Sequence, residues 1–395
     1  MVSFALTTEQ DEIRATIRAF VQRELLPREQ EIMRREAEGG PGYLTRTEVR
    51  ELRATARKSG LWGIDTPREY GGAELDAVTR ALANEELGRT VIWFEFGGSV
   101  APVLYAADDE QKARYLIPFL EDELAYCFAL SEAEAGSDPA AMRTRAVRDG
   151  GDWIITGEKT WISRGDQSDV AVVFAKTGDD SGTEGISAFL VDREMGWKSS
   201  AIPVMGSQNI ASLSFPDVRV PARNLLGPLN GGLRLALQSI NASRACNLPP
   251  RAVGSAQRLL SMAVEHANNR RTFGLPLADR QGIQWMIAES DVEIRGVQGL
   301  YLHAAWNIDQ GRSARHEASV AKLAAARMAN RVVDRVLQIH GAAGYAREFP
   351  VERWYRDLRV ARIYEGSDEI QLAAMARALL SGQVGTEGLL GDGRA

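Results

Sequence analysis

Residues 151–191 read "GDWIITGEKTWISRGDQSDVAVVFAKTGDDSGTEGISAFLV". Three apolar runs stand out: "DWIIT" (152–156), "DVAVVFA" (169–175) and "GISAFLV" (185–191). Each is short and rich in β-branched or aromatic residues. Turn clusters bound them, "RDGGD" (148–152) before the first and "KTGDDSG" (176–182) before the last. That combination predicts strands, not helices. A fourth run, "ASLSF" (211–215), extends the pattern. The spacing predicts a small antiparallel β domain over residues 126–230.

The flanks have a different texture. Residues 1–125 carry helical periodicity, punctuated at "EGGPGY" (38–43), "TPREYGG" (66–72) and "EFGGSVAP" (95–102). Near the start, Thr7 and Gln10 form a capping-box pattern, and Ile13, Ile17, Phe20 and Val21 share one apolar face. After "PDVRVPARNLLG" (216–227), residues 231–395 are Ala-, Leu- and Arg-rich and helical in period. Breaks fall at "RRTFGLPLADR" (270–280), "DQGRSAR" (309–315) and "GAAGYAREFP" (341–350). Helices of that length predict a bundle. The tail "GTEGLLGDGRA" (385–395) reads as frayed. The fold class is therefore α+β and mostly helical. The order is helices, strands, helices. It is not the βαβ alternation of a dinucleotide-binding sheet, and neither G-x-G-x-x-G nor a P-loop occurs.

Composition narrows the function. Of 395 residues, 45% are hydrophobic and 25% charged, as in ordinary globular proteins. The net charge of -6 argues against nucleic acid or an anionic membrane as partner. No run of eighteen apolar residues suggests a span, and the N-terminal stretch lacks a signal-peptide pattern. Two distant cysteines, Cys127 and Cys246, fit a reducing compartment, so the expected location is the cytoplasm. Four histidines show no metal-ligand spacing.

Four stretches carry candidate chemistry, and each has a plain structural reading beside it. "YCFALSEAEAGSDPAAMRTRA" (126–146) ends an apolar run in small and hydroxylic residues that let backbone N–H groups approach a flat polar ligand; it also reads as a strand leaving a core. "GEKTWISRGDQSD" (157–169) sets a tryptophan two residues before a hydroxyl; it also reads as a core Trp. "NNRRTFGLPLADRQGIQ" (268–284) places arginines where they would clamp a phosphate, or would simply offset a helix dipole. "QIHGAAGYAREFPVERWYRDLRVARIYEGSDEI" (338–370) joins a Gly-rich turn to an arginine-rich helix and to Glu365. Its arginines also suit salt bridges on a helix surface.

In this order and spacing the stretches resemble the acyl-CoA dehydrogenase flavoprotein family. The likeness runs to about residue 380. It rests on "EYGG" (69–72), "QKARYLIPFL" (111–120), "ALSEAEAGSD" (129–138), "GEKTWIS" (157–163), "DVRVPARNLLG" (217–227), "RRTFG" (270–274), "QIHGAAGY" (338–345) and "YEGSDEIQ" (364–371).

The resemblance implies an N-terminal helical domain, a middle β domain and a C-terminal four-helix bundle. It implies non-covalent FAD between the last two, shared across the subunits of a homotetramer, a dimer of dimers. Phe128, Leu130, Ser131, Gly136 and Ser137 would line the flavin. Trp161 and Ser163 would flank its ring. Arg270, Thr272, Phe273, Gln281, Gln338, Gly341 and Ala342 would reach a partner subunit's FAD, and Ser367 and Glu369 would touch the cofactor again. Asn241 and Arg244 match the substrate side, and Ser137 is also a candidate for the CoA moiety. Glu365 falls on the catalytic base. The alternative base slot, near "INASR" (240–244), holds Ser243 instead of an acid.

The implied reaction is α,β-dehydrogenation of an acyl-CoA to the trans-2-enoyl-CoA. Glu365 takes the α-proton and flavin N5 the β-hydride, with an electron-transfer flavoprotein as acceptor. Substrate entry expels water, and burial raises a carboxyl pKa by up to roughly 3–5 units. Gly366 leaves room beside the acyl chain. The segment "VIWFEFGGS" (91–99) aligns with a helix lining the acyl cavity. There Trp93, Phe94 and Phe96 imply a shortened pocket for short, branched or cyclic acyl groups. Serines stand at Ser131, Ser163 and Ser367 where threonine is usual, and Ala133 replaces a proline. His340 stands where Phe is frequent and reads as a packed histidine. The alternatives on this fold are a flavin oxidase or monooxygenase, a dehydrogenase of a non-CoA substrate, and a non-catalytic DNA-binding relative. The last carries a basic C-terminal region, which "GTEGLLGDGRA" is not.

Overall fold

The computed structural model describes residues 5–178 and 183–388. Part of the turn "KTGDDSG" and the end of the tail, residues 389–395, lie outside the described residues.

The N-terminal unit is built from α1 (Thr8–Phe20), α2 (Glu29–Ala37), α3 (Arg46–Lys58) and α4 (Ala77–Leu87), then the short α5 (Asp109–Gln111) and α6 (Ile117–Leu120). The expected capping box closes α1: Thr7 Oγ accepts the Gln10 N–H and Gln10 returns to the Thr7 N–H. Ile17, Phe20 and Val21 are buried. Thr45 and Glu48 cap α3 in the same way.

The sheet follows. Its strands are β1 (Tyr126–Ala129), β2 (Arg145–Asp149), β3 (Asp152–Ser163), β4 (Val170–Lys176), β5 (Ile186–Asp192), β6 (Lys198–Ala201), β7 (Ile210–Pro221) and β8 (Leu225–Leu226), in the order β6-β7-β3-β2-β4-β5-β8. Most pairs are antiparallel, as expected. β1 is different: it runs parallel to β4, with Phe128 opposite Val172. Strands β4 and β5 are buried on both faces, which explains why their sequence is continuously apolar and not alternating. Val172, Phe174, Ala188 and Leu190 pack toward α6, the turn before it (Tyr115, Leu116) and the turn around Val103 and Leu104. Val173, Ala175, Phe189 and Val191 pack on the other face with Trp153, Ile155 and Phe215.

The C-terminal unit comprises α7 (Gly232–Cys246), α8 (Leu248–Asn269), the hairpin β9 (Arg271–Thr272) and β10 (Leu275–Pro276), and α9 (Gln281–Asp309). It continues with α10 (Arg315–His340), α11 (Ala342–Tyr345), α12 (Pro350–Arg359) and α13 (Asp368–Leu380). An alanine-rich seam (Ala252, Ala256, Ala263, Ala321, Ala325, Ala329) draws α8 and α10 together in one core with α4. The approach of α4 to α8 is close enough that a Cβ on Gly254 would strike the Glu85 carbonyl. Among the described residues no helix is long and apolar enough to cross a membrane.

Two local expectations change. The break between α7 and α8, at Asn247 with Pro249 and Pro250 opening α8, had no counterpart in the periodicity. The segment "VIWFEFGGS" is not helical: it has no regular secondary structure, and it bends at Val91–Ile92 and again at Gly97–Gly98. Its residues alternate: Phe94 and Phe96 are buried, while Trp93 and Glu95 are not. Phe94 and Phe96 pack on Phe20 of α1, with ring centroids 5.6 and 5.5 Å away. They belong to the core around α1. Aromatic residues at period two, followed by Gly97-Gly98, speak against a helix.

Candidate active site

Glu365 lies in the turn between α12 and α13 with φ 53°, followed by Gly366 at φ 88°. Two successive left-handed residues, one of them a glutamate, are costly and persist only where surroundings enforce them. Those surroundings are specific. Arg244 Nε donates to the Glu365 carbonyl at 2.6 Å. Lys322 Nζ, wholly buried on α10, donates to the Gly366 carbonyl at 2.6 Å. Gln371 Nε2 donates to both carbonyls, at 3.2 and 3.3 Å. Just downstream, buried Asp368 accepts from Arg327 Nε at 3.2 Å and Arg362 Nε at 2.8 Å. A Cβ on Gly366 would collide with Gln371 and Arg244, so the turn needs glycine twice over, for its φ and for its neighbours.

The carboxylate is held asymmetrically. Ser243 Oγ donates to Oε1 at 2.7 Å. Oε2 is buried and has no partner among the described residues. Burial pushes the Glu365 carboxyl above its ordinary pKa, against the opposing pull of Ser243, Arg244 and Lys322. The alternative base slot therefore faces Glu365 directly. In this chain it supplies the hydroxyl that steadies the acid. Asn241 Oδ1 accepts from Arg244 Nη1 at 3.0 Å and so orients the arginine. Burial lowers the Arg244 pKa, and it pushes that of Lys322 down to about 8.

In the β domain, the loop after β1 and the end of β3 are zipped together. The Thr160 N–H donates to the Ser131 carbonyl at 3.0 Å. Lys159 Nζ, fully buried, donates to Glu132 Oε1 at 2.7 Å and to the Leu130 carbonyl at 3.0 Å. Glu132 also accepts the N–H groups of Arg143 (2.6 Å) and Thr144 (3.1 Å). This staple holds the 130–137 loop although Ala133 replaces the proline. Burial pushes Lys159 down to about 8, while Lys159 holds the Glu132 carboxyl below its ordinary value against burial.

The β3 ladder shifts register between Lys159 and Ile162, and Trp161 sits at φ 63°. The shift turns the Trp161 ring outward, 58% exposed, beside exposed Ser163, with Ile162 buried between them. Gly136 and Ser137 are exposed, and a Cβ on Gly136 would meet nothing within 4 Å. Phe128 packs on Phe174 at 4.8 Å, and Leu130 and Ser131 are half-buried. A bare indole face, a hydroxyl two residues on and an uncrowded glycine loop fit a flat, polar-edged ring such as flavin. Ser367 N-caps α13, accepting the Ile370 N–H at 3.4 Å, and Glu369 in its first turn is exposed.

The other expected cofactor residues form a separate outer band. His266 of α8 stacks on buried His340 of α10 at 4.5 Å, which sets the β9–β10 hairpin beside Gly341 and Ala342. Arg270, Phe273, Gln281, Gln338, Gly341 and Ala342 are exposed, and Thr272 is half-buried. Phe273 is 97% exposed at φ 50°. Among the described residues no hydrogen bond, ion pair or ring contact joins this band to the Glu365 side. Lys322, Gln371 and the Glu132–Lys159 pair escaped the sequence reading. The signal for Lys322 and Glu132 was a charge inside a run of small or apolar residues, "ASVAKLAAA" (318–326) and "ALSEAEA" (129–135); Gln371 carried none.

Sequence models of the acyl-CoA dehydrogenase N-terminal, middle and C-terminal domains match residues 7–123, 127–218 and 230–380. An acyl-CoA dehydrogenase of Bacillus subtilis (strain 168) is 34% identical over 388 residues, covering 95% of this chain and 99% of that one. A 3-(aryl)acrylate reductase of Clostridium sporogenes is 35% identical over 385 residues, covering 94% and 99%. The structure of butyryl-CoA dehydrogenase from Megasphaera elsdenii superposes with a TM-score of 0.84 at 29% identity, covering 96% of this chain and 100% of that chain. With all three domains matched in order, the chain belongs to the acyl-CoA dehydrogenase family.

Proposed function

We propose that the protein removes the α-proton of an acyl-CoA thioester with Glu365 and releases the trans-2-enoyl-CoA. The observation that carries this reading is the free, buried Oε2 of a carboxyl whose pKa burial has raised. An ordinary solvated carboxylate is too weak a base for such a proton. Burial with one unsatisfied oxygen makes Glu365 stronger and leaves that oxygen for the substrate. The Glu365 N–H also lacks an acceptor among the described residues, which suits a thioester oxygen gaining negative charge. Arg244, Lys322 and Gln371 hold the turn, so the acid and that N–H keep one geometry.

The family's members are FAD flavoproteins. Bound FAD would accept the β-hydrogen as hydride and pass the electrons on. Phe128, Leu130, Ser131, Gly136, Ser137, Trp161 and Ser163 would hold its ring on the side facing Glu365. The outer band around Arg270, Phe273, Gln338 and Gly341 would complete the FAD of a neighbouring copy in a homotetramer. An electron-transfer flavoprotein would take the electrons.

Anaerobic titration of the FAD-loaded protein with acyl-CoAs tests this at the flavin absorption band. Bleaching is expected, and Glu365→Gln should retain FAD and abolish it. A Glu365→Gln protein that still bleaches refutes the assignment. The reverse direction is a second reading, supported by the similarity to a 3-(aryl)acrylate reductase. An acid with raised pKa suits returning a proton, and reoxidation of the chemically reduced protein by an enoyl substrate would reveal it.

A further inference from the structure

Arg164 directly follows Ser163, and the turn it belongs to holds two left-handed residues, Trp161 at φ 63° and Arg164 at φ 55°. Neither residue type favours this region, so the turn keeps its shape only under constraint. Its backbone is constrained from within the β domain. The Arg164 N–H donates to the Asn209 carbonyl at 3.0 Å. The Gln167 N–H and Ser168 Oγ donate to the Arg164 carbonyl at 3.0 and 2.8 Å. Arg193 Nη2 donates to the Gly165 carbonyl at 2.8 Å. The Arg164 side chain instead reaches out of the β domain, donating from Nη2 to Glu95 Oε2 at 2.9 Å.

The far end of that bond is fixed by both helical units. The Glu95 carbonyl accepts from Arg53 Nε of α3 at 3.1 Å. The Phe94 carbonyl accepts from Arg251 Nη2 of α8 at 2.8 Å. The rings of Phe94 and Phe96 sit on Phe20 of α1. The neighbouring charges do not compete for the pair. Arg53 turns Nη1 to Asp122, and Arg251 turns Nε to Asn84. Among the described residues Arg164 is the sole ion-pair partner of the Glu95 carboxylate. A path of bonds thus runs from α8, in the unit that carries Glu365, through residues 94 and 95 to Arg164, and along the chain to Ser163 and Trp161.

This pair does little for the stability of the fold. Its side chains are 49% and 37% exposed, and such pairs contribute little. The left-handed φ of Arg164 works against even that. What the pair adds is geometry: it ties a strained turn of the β domain to a rigid point on the helical units. We propose that Arg164 is a positioning residue, which through Glu95 holds the Trp161 indole and the Ser163 hydroxyl in the orientation that receives the flavin ring. This rests on the FAD-dependent acyl-CoA reading above. Group transfer depends steeply on the placement of the reacting partners, so a loosened turn costs rate and not substrate binding.

The test uses FAD-loaded wild type, Glu95→Ala, Arg164→Met, the double variant, Arg164→Lys and Arg164→Gly. Circular dichroism of the visible flavin band reports the surroundings of the ring without any substrate, and Trp161→Phe marks the share that comes from the indole. Anaerobic single-turnover reduction by an acyl-CoA reports rate and half-saturation separately. Glu95→Ala and Arg164→Met should each alter the flavin band and slow reduction by about tenfold, with half-saturation unchanged. The double variant should be no worse than the worse single, because both remove one tether. Arg164→Lys keeps the charge and should recover most of both signals. Arg164→Gly accepts its φ without strain, so it keeps the fold while losing the tether, and should behave as Arg164→Met does. The proposal fails if both single variants keep the wild-type band and rate, if their losses multiply in the double, if only half-saturation changes, or if Arg164→Gly reacts at the wild-type rate. A wild type that no acyl-CoA reduces would refute the acyl-CoA reading instead, and the flavin band would still decide the role of Arg164.

Discussion

Replacing Ser243 with alanine removes one hydroxyl and leaves the base in place. In the structure that hydroxyl is the sole donor to the Glu365 carboxylate among the described residues, at 2.7 Å. The cations nearby spend their hydrogen bonds on backbone carbonyls, Arg244 on Glu365 and Lys322 on Gly366. They stabilise the ionised acid only through space. A hydrogen bond to a charged group contributes about 1.5–3 kcal/mol. One pKa unit corresponds to about 1.36 kcal/mol, so losing the bond should raise the Glu365 pKa by about 1–2 units. The reactive form is the carboxylate, and Ser243 favours that form. The acidic limb of the pH–rate profile should therefore move to higher pH by this amount. Anaerobic single-turnover flavin reduction, measured across pH with one acyl-CoA, reads the limb directly. At the alkaline plateau the rate should be kept, because a more basic carboxylate is no worse a base. An unmoved limb, or one displaced to lower pH, would refute the argument that Ser243 supports the ionised base.

Lys322→Met removes the donor under the Gly366 carbonyl. It should lower kcat by roughly tenfold to a hundredfold with little change in KM, since small misplacements of a reacting group cost that much. Steady-state kinetics on flavin-replete protein check it. The same lysine has a pH signature. Its folded pKa of about 8 lies below the ordinary lysine value of about 10.4, so between these values the unfolded chain binds more protons and stability rises with pH. Denaturant titrations at several pH values should show that rise in the wild type and its loss in Lys322→Met. Glu132→Gln strands the buried charge of Lys159 and should cost about 3–5 kcal/mol. A urea midpoint within error of the wild type would contradict it. The ion pair's contribution is present at neutral pH and is lost as pH falls through the lowered folded pKa of Glu132.

Long periodic or continuously apolar segments were legible in the sequence because local physics decides them. Thr7 and Gln10 announced the start of α1, and the runs in β4 and β5 announced buried strands. The parallel pairing of β1 with β4 was not legible, because nothing in "YCFA" states which neighbour it meets forty residues later. The error at residues 91–99 came from letting family alignment override a visible alternation of Trp93, Phe94, Glu95 and Phe96. Glu365 and its slot partner Ser243 could be named from motif order. Their mutual hydrogen bond could not, since it joins positions 122 residues apart. Lys322 and Lys159 look like ordinary surface lysines until the fold closes over them.

The alternation at residues 93–96 acts as a register lock. Where side chains point to opposite sides in turn, one inserted or deleted residue exchanges the two sides. A slip of one position here would pull Phe94 and Phe96 off Phe20 and drive Glu95 into the core without its Arg164 partner. A single codon gained or lost before Trp93 would thus exchange aromatic packing for a buried, unpaired charge.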